Sequence, residues 1–528
     1  INMIWTLSLI VLNLVLAFLY IGRRKRLPGE PPLVSHWIPF VGAALDIGKA
    51  PLDYMRSLQR RLGDVFTIKL AGWDVHVFMN PLDVPSLERA KSIDHTQVIG
   101  QFVSQMVGDK HLIHNPAKHS EVIPKTLEKT LRSAMHLITL CDSCTSILPK
   151  TIERTLKSEF SSKRKMKIGL YKLCKKLVAD MTLNLFFGSL ASDKDCSEET
   201  RKICEEFFVY FDSSALLVDR IPIHLLPATK RSRNKMFELL SDFDFENREN
   251  VSKLISQVAA VGKSHNPENS TNEERVRHLL IILWSAQANT LPALFWTLFH
   301  ILNDKQAKVD VLQEFEKHLG KSENFYDVTT VGENLQWPTM DDIQRIKKGD
   351  LDKMVVLDSC LKETLRVSGS SMAVRRATQN TTITLHSGKV YNIRKGDYTS
   401  YFAPVTHQDT QIYEKPEEYR HERFLQRGEK DPNMLKSRTQ FSKEGKRISP
   451  STSIMTFGYG AIRCPGRHIA MIEIKVLALT LLKHFNIDLG QIYDRSSKDY
   501  PQPDLTHLGF GVMPPDRDVG FKYAFETY

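Results

Sequence analysis

One cysteine, Cys464, stands in surroundings that would present its sulfur to a metal. The run Thr456-Phe457-Gly458-Tyr459-Gly460-Ala461-Ile462-Arg463-Cys464-Pro465-Gly466-Arg467 is a glycine-punctuated loop leading into an apolar helical stretch. Glycines at 458, 460 and 466 permit positive φ and close backbone approach, and Pro465 suits the first helical position. The sulfur then lies at a helix N-terminus, where free N–H groups and the positive dipole end favour S⁻ and lower the thiol pKa. A lone cysteine before a helix is more often a small buried hydrophobe, so it is the loop that argues for a ligand. A second run, Leu283-Trp284-Ser285-Ala286-Gln287-Ala288-Asn289-Thr290-Leu291-Pro292, interrupts a long apolar helix with small and polar residues. By itself it reads as a buried polar patch or as the kink preceding Pro292.

The elements that must hold these runs are mostly helices. Between about residues 120 and 320 a helical periodicity dominates, broken near 261–273 by the polar stretch VGKSHNPENSTNE. Val65–Leu70 and Asp74–Met79, joined by Ala71-Gly72-Trp73, predict a β-hairpin, and residues 381–401 predict a second β region. A last strand is expected over Val519–Tyr523. With 528 residues, 42% of them hydrophobic, the chain can bury a large core, and no repeat or low-complexity linker divides it. Seven cysteines, an odd number, do not form a secreted disulfide framework. Cys141 and Cys144 have the C-x-x-C spacing of a redox pair or half a zinc site, but no second pair completes a tetrahedral set.

The formal charge of +11 is spread among 61 acids, and no aromatic-basic RNA motif appears. A basic face for an acidic protein partner or anionic lipid is expected instead, with no nucleic acid. Residues 1–22 carry no charge and are about long enough to cross a bilayer as one helix, and Arg23-Arg24-Lys25-Arg26 follows. The expectation is a transmembrane anchor at 1–22 with the remainder in the cytosol. A stiff basic and proline-rich hinge at 23–32 and one catalytic domain at 33–528 complete the expected organisation.

Glu363-Thr364-Leu365-Arg366 lies in a helical stretch with its carboxylate and guanidinium on one face. The same spacing recurs at Glu274/Arg277 and Glu417/Arg420, so only position along the chain gives it meaning. The ordered set of E-x-x-R, the Glu422-Arg423-Phe424 segment and an F-x-x-G-x-x-x-C-x-G loop resembles a cytochrome P450 over essentially the whole chain from residue 28. The resemblance implies the P450 fold, mainly α with a minor β region, preceded by one N-terminal transmembrane helix. It implies haem b with Cys464 as the axial thiolate, and Phe457 and Gly458 as cofactor-binding residues of the loop. Glu363, Arg366 and Arg423 would form a buried structural triad, and Arg375 and His407 would touch the haem propionates. Ile462 replaces the Arg or His usual in that loop, and no tryptophan between Trp73 and Trp284 supplies the usual Trp-x-x-x-Arg segment. One expected propionate contact is therefore missing, as in the branch of sterol 7α- and 12α-hydroxylases and prostacyclin synthase.

In the same frame the second run lies over the iron. Asn289 replaces the acid that most P450s place before the threonine; it can orient water but not titrate near neutral pH. The implied catalytic residues are Thr290, donating toward oxygen with an ordered water, and Asn289, orienting that water. Gln287-Ala288-Asn289-Thr290, with GEPP at 29–32 and YNIRKGD at 391–397, is similar to the sterol and oxysterol 7α-hydroxylases. The implied activity is hydroxylation of a sterol or oxysterol with dioxygen and electrons from NADPH-cytochrome P450 reductase, at the endoplasmic reticulum membrane, the catalytic domain facing the cytosol. Substrate contacts are implied for Trp284, Ala288, Val367 to Met372 and Leu508 to Val512. Two other readings stay open: an isomerase like prostacyclin synthase, which needs neither electrons nor dioxygen, and a haem-binding protein without turnover. Retention of Thr290 leans toward the monooxygenase.

Overall fold

A computed structural model describes residues 24–522 apart from 37, 39–40, 110–129, 158–167, 191–195, 219–220, 244, 246–247, 258–271, 321–339, 429–430, 432–433, 461–462 and 486. The expected anchor at 1–22, the polar break near 261–273 up to residue 271, and Ile462 lie outside the described residues. The chain forms two compact units. One contains residues 1–98, 371–414 and 441–462; the other contains 99–370, 415–440 and 463–528.

The first unit is built on a five-stranded sheet. Its strands, in chain order, are β1 (Val65–Leu70), β2 (Trp73–Phe78), β3 (Ile93–Asp94), β4 (Met372–Ala377) and β7 (Tyr398–Phe402), and their spatial order is β1-β2-β7-β4-β3. The predicted hairpin forms, with Val65 opposite Phe78. Ala71 (φ 48°) and Gly72 (φ 84°) make the left-handed two-residue turn that matches the twist of paired strands. β5 (Thr381–Thr384) and β6 (Val390–Ile393) pair as a separate ribbon, in line with the second predicted β region. Along β4, Ala373, Arg375 and Ala377 point inward, which is the period-two alternation of a strand. Inward-facing Val65, Phe78, Ala373, Ile393 and Tyr401 form one apolar core that also takes in Met455 and Tyr459.

The expected hinge is fastened to this unit. Arg24 donates to Asp397 (2.8 Å) and Glu30 (3.2 Å) and lies 3.3 Å from Asp74. Glu30 also accepts from Arg394 Nη2 at 2.8 Å. Arg24 and Glu30 side chains are almost wholly buried, so the basic run acts here as a fastener as well as a charge signal.

The second unit is helical. Its main helices are α1 (Ala134–Lys157), α2 (Leu170–Thr182), α3 (Cys196–Val218), α4 (Pro227–Ser241), α5 (Asn272–Gln287), α6 (Thr290–Asn303), α7 (Lys305–Leu319), α8 (Val355–Ser368) and α9 (Arg467–His484). Every residue of α6 from Thr290 to Leu302 is buried, and the helix packs on α2, α8 and α9. The stretch Glu273–Asn303 is long and apolar enough to cross a membrane, but most of it is buried in the protein, the pattern of a core helix. Cys141 and Cys144 lie in the buried face of α1. Burial pushes the Cys141 thiol up to about 11 and Cys144 further, so both behave as core residues. The strand expected over Val519–Tyr523 does not form among the described residues. Among the described residues Lys522 makes an isolated bridge to Asp488, and Tyr523 lies outside them.

Residues 415–440 have little regular structure and are held by side chains instead. His421 sits between Asp304 (2.9 Å) and Asp310 (3.0 Å). Burial lowers its pKa, but the hydrogen bonds to Asp304 and Asp310 outweigh that and raise it to about 9. A raised folded pKa stabilises fully below the unfolded value near 6.5, and the gain is lost as pH rises toward 9. His421→Gln is expected to cost on the order of 2–3 kcal/mol at pH 6, with the gap from wild type closing by pH 9. Urea melts across that range check it; a gap independent of pH would contradict the charged-histidine assignment.

Candidate active site

The two halves of the cysteine loop belong to different units: residues up to 462 to the first, Arg463 onward to the second. In the first unit, Gly458 (φ 72°) and Gly460 (φ 58°) take the positive φ values expected of them. A side chain at 460 would meet Glu88 at 2.9 Å. Ser371 Oγ donates to Thr456 O at 2.7 Å and Gly458 N–H to Met455 O at 2.9 Å, which sets the path of the loop at Phe457. His407, at the end of helix Ala403–His407, is fully buried, and its Nε2 accepts from Met455 N–H at 3.1 Å. The contact found for this ring nitrogen is thus with the loop backbone.

Arg375 gives the first test of fit to a haem. Its side chain is buried on β4, with the guanidinium 4.7 Å from the Tyr459 ring centroid. Nη1 donates to Leu87 O at 3.3 Å, while Nε and Nη2 have no partner among the described residues. A buried guanidinium with two unpaired N–H edges is costly unless a carboxylate meets it. A haem propionate is such a group.

In the second unit Cys464 precedes α9. The backbone N–H groups of Gly466 and Arg467 donate toward its sulfur. The helix itself begins at Arg467, with Pro465 in the preceding turn and Gly466 at φ −81°, so two of the three loop glycines take positive φ. Burial raises the thiol pKa, and the Gly466 and Arg467 N–H groups and the charge of Arg467 only partly offset it. The expected lowering is thus overturned: desolvation of the anion outweighs the helix end. A coordinating metal deprotonates a thiol outright, so the donor set still suits an iron–thiolate bond.

Burial comes first in lowering the pKa values of Arg463 and Arg467, followed by repulsion from Arg132 for Arg463 and from Arg463 and Arg132 for Arg467. His468 is lowered by burial and then by Arg467, Arg463 and Lys348. These residues concentrate positive charge around the start of α9.

Two sequence motifs meet as predicted. Glu363 and Arg366 on α8 and Arg423 form one buried cluster: Glu363 accepts from Arg366 Nε and Nη2, each at 2.7 Å, and from Arg423 Nε at 2.8 Å. The Glu274/Arg277 and Glu417/Arg420 spacings, by contrast, have exposed carboxylates. The break in the long helix falls at Ala288-Asn289, between α5 and α6, with Thr290 buried as the first residue of α6.

The cytochrome P450 family profile matches residues 31–515. The chain is a cytochrome P450. Its chemistry is that of an oxidoreductase of the monooxygenase type, and the family implies a haem whose iron carries a thiolate ligand. The P450 is 30% identical to cholesterol 7-alpha-monooxygenase of Cricetulus griseus over 100% of this chain and 99% of that protein. It is 26% identical to 7-alpha-hydroxycholest-4-en-3-one 12-alpha-hydroxylase of Homo sapiens, covering 95% of this chain and 94% of that protein. Prostacyclin synthase of Bos taurus is also 26% identical, over 94% of each chain.

Of the implied substrate contacts in the second unit, Trp284 donates from Nε1 to Ser214 Oγ at 3.1 Å and packs edge-on against Phe102, ring centroids 5.3 Å apart. Phe102 lies 6.4 Å from Phe510, which belongs to the implied Leu508–Val512 segment. Phe102 and Gln287 are additions to the sequence-derived set. Gln287 is buried to 1% exposure at the helix break, and its Oε1 has no partner among the described residues. A buried polar residue inside an otherwise apolar helix was the available signal for it.

Proposed function

We propose that this P450 hydroxylates a sterol or oxysterol, in the manner of a 7α-hydroxylase, with dioxygen and two electrons from NADPH-cytochrome P450 reductase. The observation that carries the reading is Thr290: a hydroxyl kept at the broken, buried turn of the long helix, where an isomerase has no use for a proton donor. Haem b, when bound, would take Cys464 as its thiolate ligand and would supply reductive cleavage of dioxygen, and the unpaired Arg375 N–H edges would suit a propionate. Around it, Phe457 and Gly458 shape the ligand loop, and His407 fixes that loop by accepting the Met455 N–H. Thr290 Oγ would donate a proton toward oxygen, and the Asn289 amide N–H would orient the water that reprotonates it.

The apolar walls of Phe102, Trp284 and Phe510 suit a flat, rigid, apolar substrate. Similarity to cholesterol 7-alpha-monooxygenase along the whole chain supports a sterol. The cations of Arg132, Arg463 and Arg467 suit an acidic electron donor, with attraction that weakens in salt. Residues 1–22 would anchor the chain in the bilayer of the endoplasmic reticulum, with 23–32 as a hinge and 33–528 as the catalytic domain in the cytosol.

Turnover with purified reductase, NADPH and a sterol panel tests the reading. Oxygenated sterol is expected, and Thr290→Ala should lower product formed per NADPH consumed by about tenfold or more. The affinity read from the sterol-induced spin-state shift should be retained in that variant. Endoperoxide rearrangement without reductase would replace the monooxygenase reading with the isomerase. Unchanged coupling in Thr290→Ala would remove the role given to its hydroxyl.

A further inference from the structure

Asn289 makes a contact that its place beside Thr290 does not require. Its Oδ1 accepts a hydrogen bond from Val512 N–H at 2.8 Å, across 223 residues of sequence. The amide is therefore oriented with its oxygen toward the chain and its NH₂ away from this bond. Gly511, next to the bonded amide, has φ +119°, and a Cβ there would lie 2.1 Å from Asn289 Oδ1. Glycine is required at 511 on both counts, the backbone conformation and the space the amide occupies.

The turn that Asn289 holds is clamped from two further directions. Ser370, just beyond α8, donates from N (2.6 Å) and Oγ (3.1 Å) to Gly511 O and accepts from Gly509 N–H at 3.2 Å. Met513 N–H donates to Ser368 O at 3.2 Å, and Trp296 Nε1 donates to Met513 O at 2.8 Å. Backbone groups from 509 to 513 thus find partners on α6, on α8 and at the helix break, with no regular strand. Phe510 is carried on this turn, and its ring meets Phe102, which in turn meets Trp284 on α5.

We propose that Asn289 is a strut that positions Phe510, so that the residue beside the oxygen-facing threonine also sets the width of the apolar wall formed by Phe102, Trp284 and Phe510. Asn289 is on this account a positioning residue for substrate selection, acting through Val512 and Gly511. The oxygen atom does this work, whereas the NH₂ is the part assigned to water. An aspartate at 289 would preserve the strut, because either carboxylate oxygen can accept the Val512 N–H. A leucine of similar size would remove it and leave that N–H unpaired in a buried turn, which favours local opening. The inference rests on the sterol reading only for the choice of ligand.

The test compares Asn289→Asp, Asn289→Leu and Gly511→Ala as haem-loaded full-length proteins, with Asn289→Ala standing in for any variant that does not fold. Hydrogen exchange across residues 509–513 is read first, and the sterol-induced spin-state shift second. Asn289→Leu and Gly511→Ala are expected to exchange roughly tenfold faster over the turn and to bind sterol roughly tenfold more weakly, with Asn289→Asp within about threefold of wild type in both. Unchanged exchange in Asn289→Leu would overturn the strut. So would an Asn289→Asp protein as impaired as Asn289→Leu, since the NH₂ would then be the essential group. Faster exchange with unaltered sterol affinity would overturn the link to selection. Should no sterol shift the wild-type spectrum, the function reading fails while the exchange result still decides the strut.

Discussion

Glu363→Ala is expected to yield little or no folded protein. The carboxylate is fully buried and accepts four hydrogen bonds: two from Arg366, one from Arg423 and one from the Arg420 backbone N–H at 3.1 Å. Its two guanidinium partners also tie the irregular segment down, Arg366 to Pro416 O (2.7 Å) and Arg423 to Lys415 O (3.1 Å) and Glu418 O (3.0 Å). Deleting the carboxylate removes the counter-charge that the two buried guanidiniums share, at about 3–5 kcal/mol. That is a large share of the roughly 5–15 kcal/mol that holds a domain together. Exposed E-x-x-R pairs give a control: Glu274→Ala should shift stability by about 0.5 kcal/mol or less. Soluble yield and urea midpoints measure both. A Glu363→Ala protein within about 1 kcal/mol of wild type would contradict the assignment of this cluster as the lock on residues 415–440.

What the sequence made legible was local, or else carried by a known order of motifs. The Ala71-Gly72 turn, the break before Pro292 and the glycines of the cysteine loop each act within a few residues, so their types report their conformations. The Glu363, Arg366 and Arg423 cluster is long-range and became readable only through its order relative to Cys464. The rest depends on partners the chain brings from afar. Arg24 reads as one of four cations after an apolar run, yet its contact with Asp397 lies on the far side of the sequence. Asn289 reads as a substitute for an acid, and its Val512 contact has no local signature. The thiol pKa of Cys464 was misjudged because a helix end is visible in sequence and desolvation is not. The strand expected at 519–523 does not form as far as Lys522, and β-branched and aromatic residues are a weak signal there because their fit to a strand depends on the neighbours they pack against.

Cys464→Ala is expected to abolish monooxygenase activity, and it bears on the centre of the account. The sulfur is set before α9 by Pro465 and Gly466, receives the N–H groups of Gly466 and Arg467, and has arginines 463 and 467 within Coulomb range. None of these features helps a neutral core thiol, and all of them favour a charged sulfur on a metal. Burial raises the Cys464 thiol too, but its side chain keeps some exposure, whereas Cys144, Cys174 and Cys360 are wholly buried and their thiols are pushed far up. Alanine at 464 removes the proposed thiolate ligand, while an apolar methyl costs the fold little. Loss of function should therefore come with near-wild-type stability in the protein freed of haem, unlike the Glu363 variant.

The visible absorption spectrum of the reduced, carbon monoxide-bound protein tests this most directly, recorded for wild type beside Cys464→Ala. The account predicts the red-shifted Soret band of a thiolate-ligated haem in wild type and its absence in the variant. A wild-type protein without that band, or a Cys464→Ala protein that keeps it, would contradict the account.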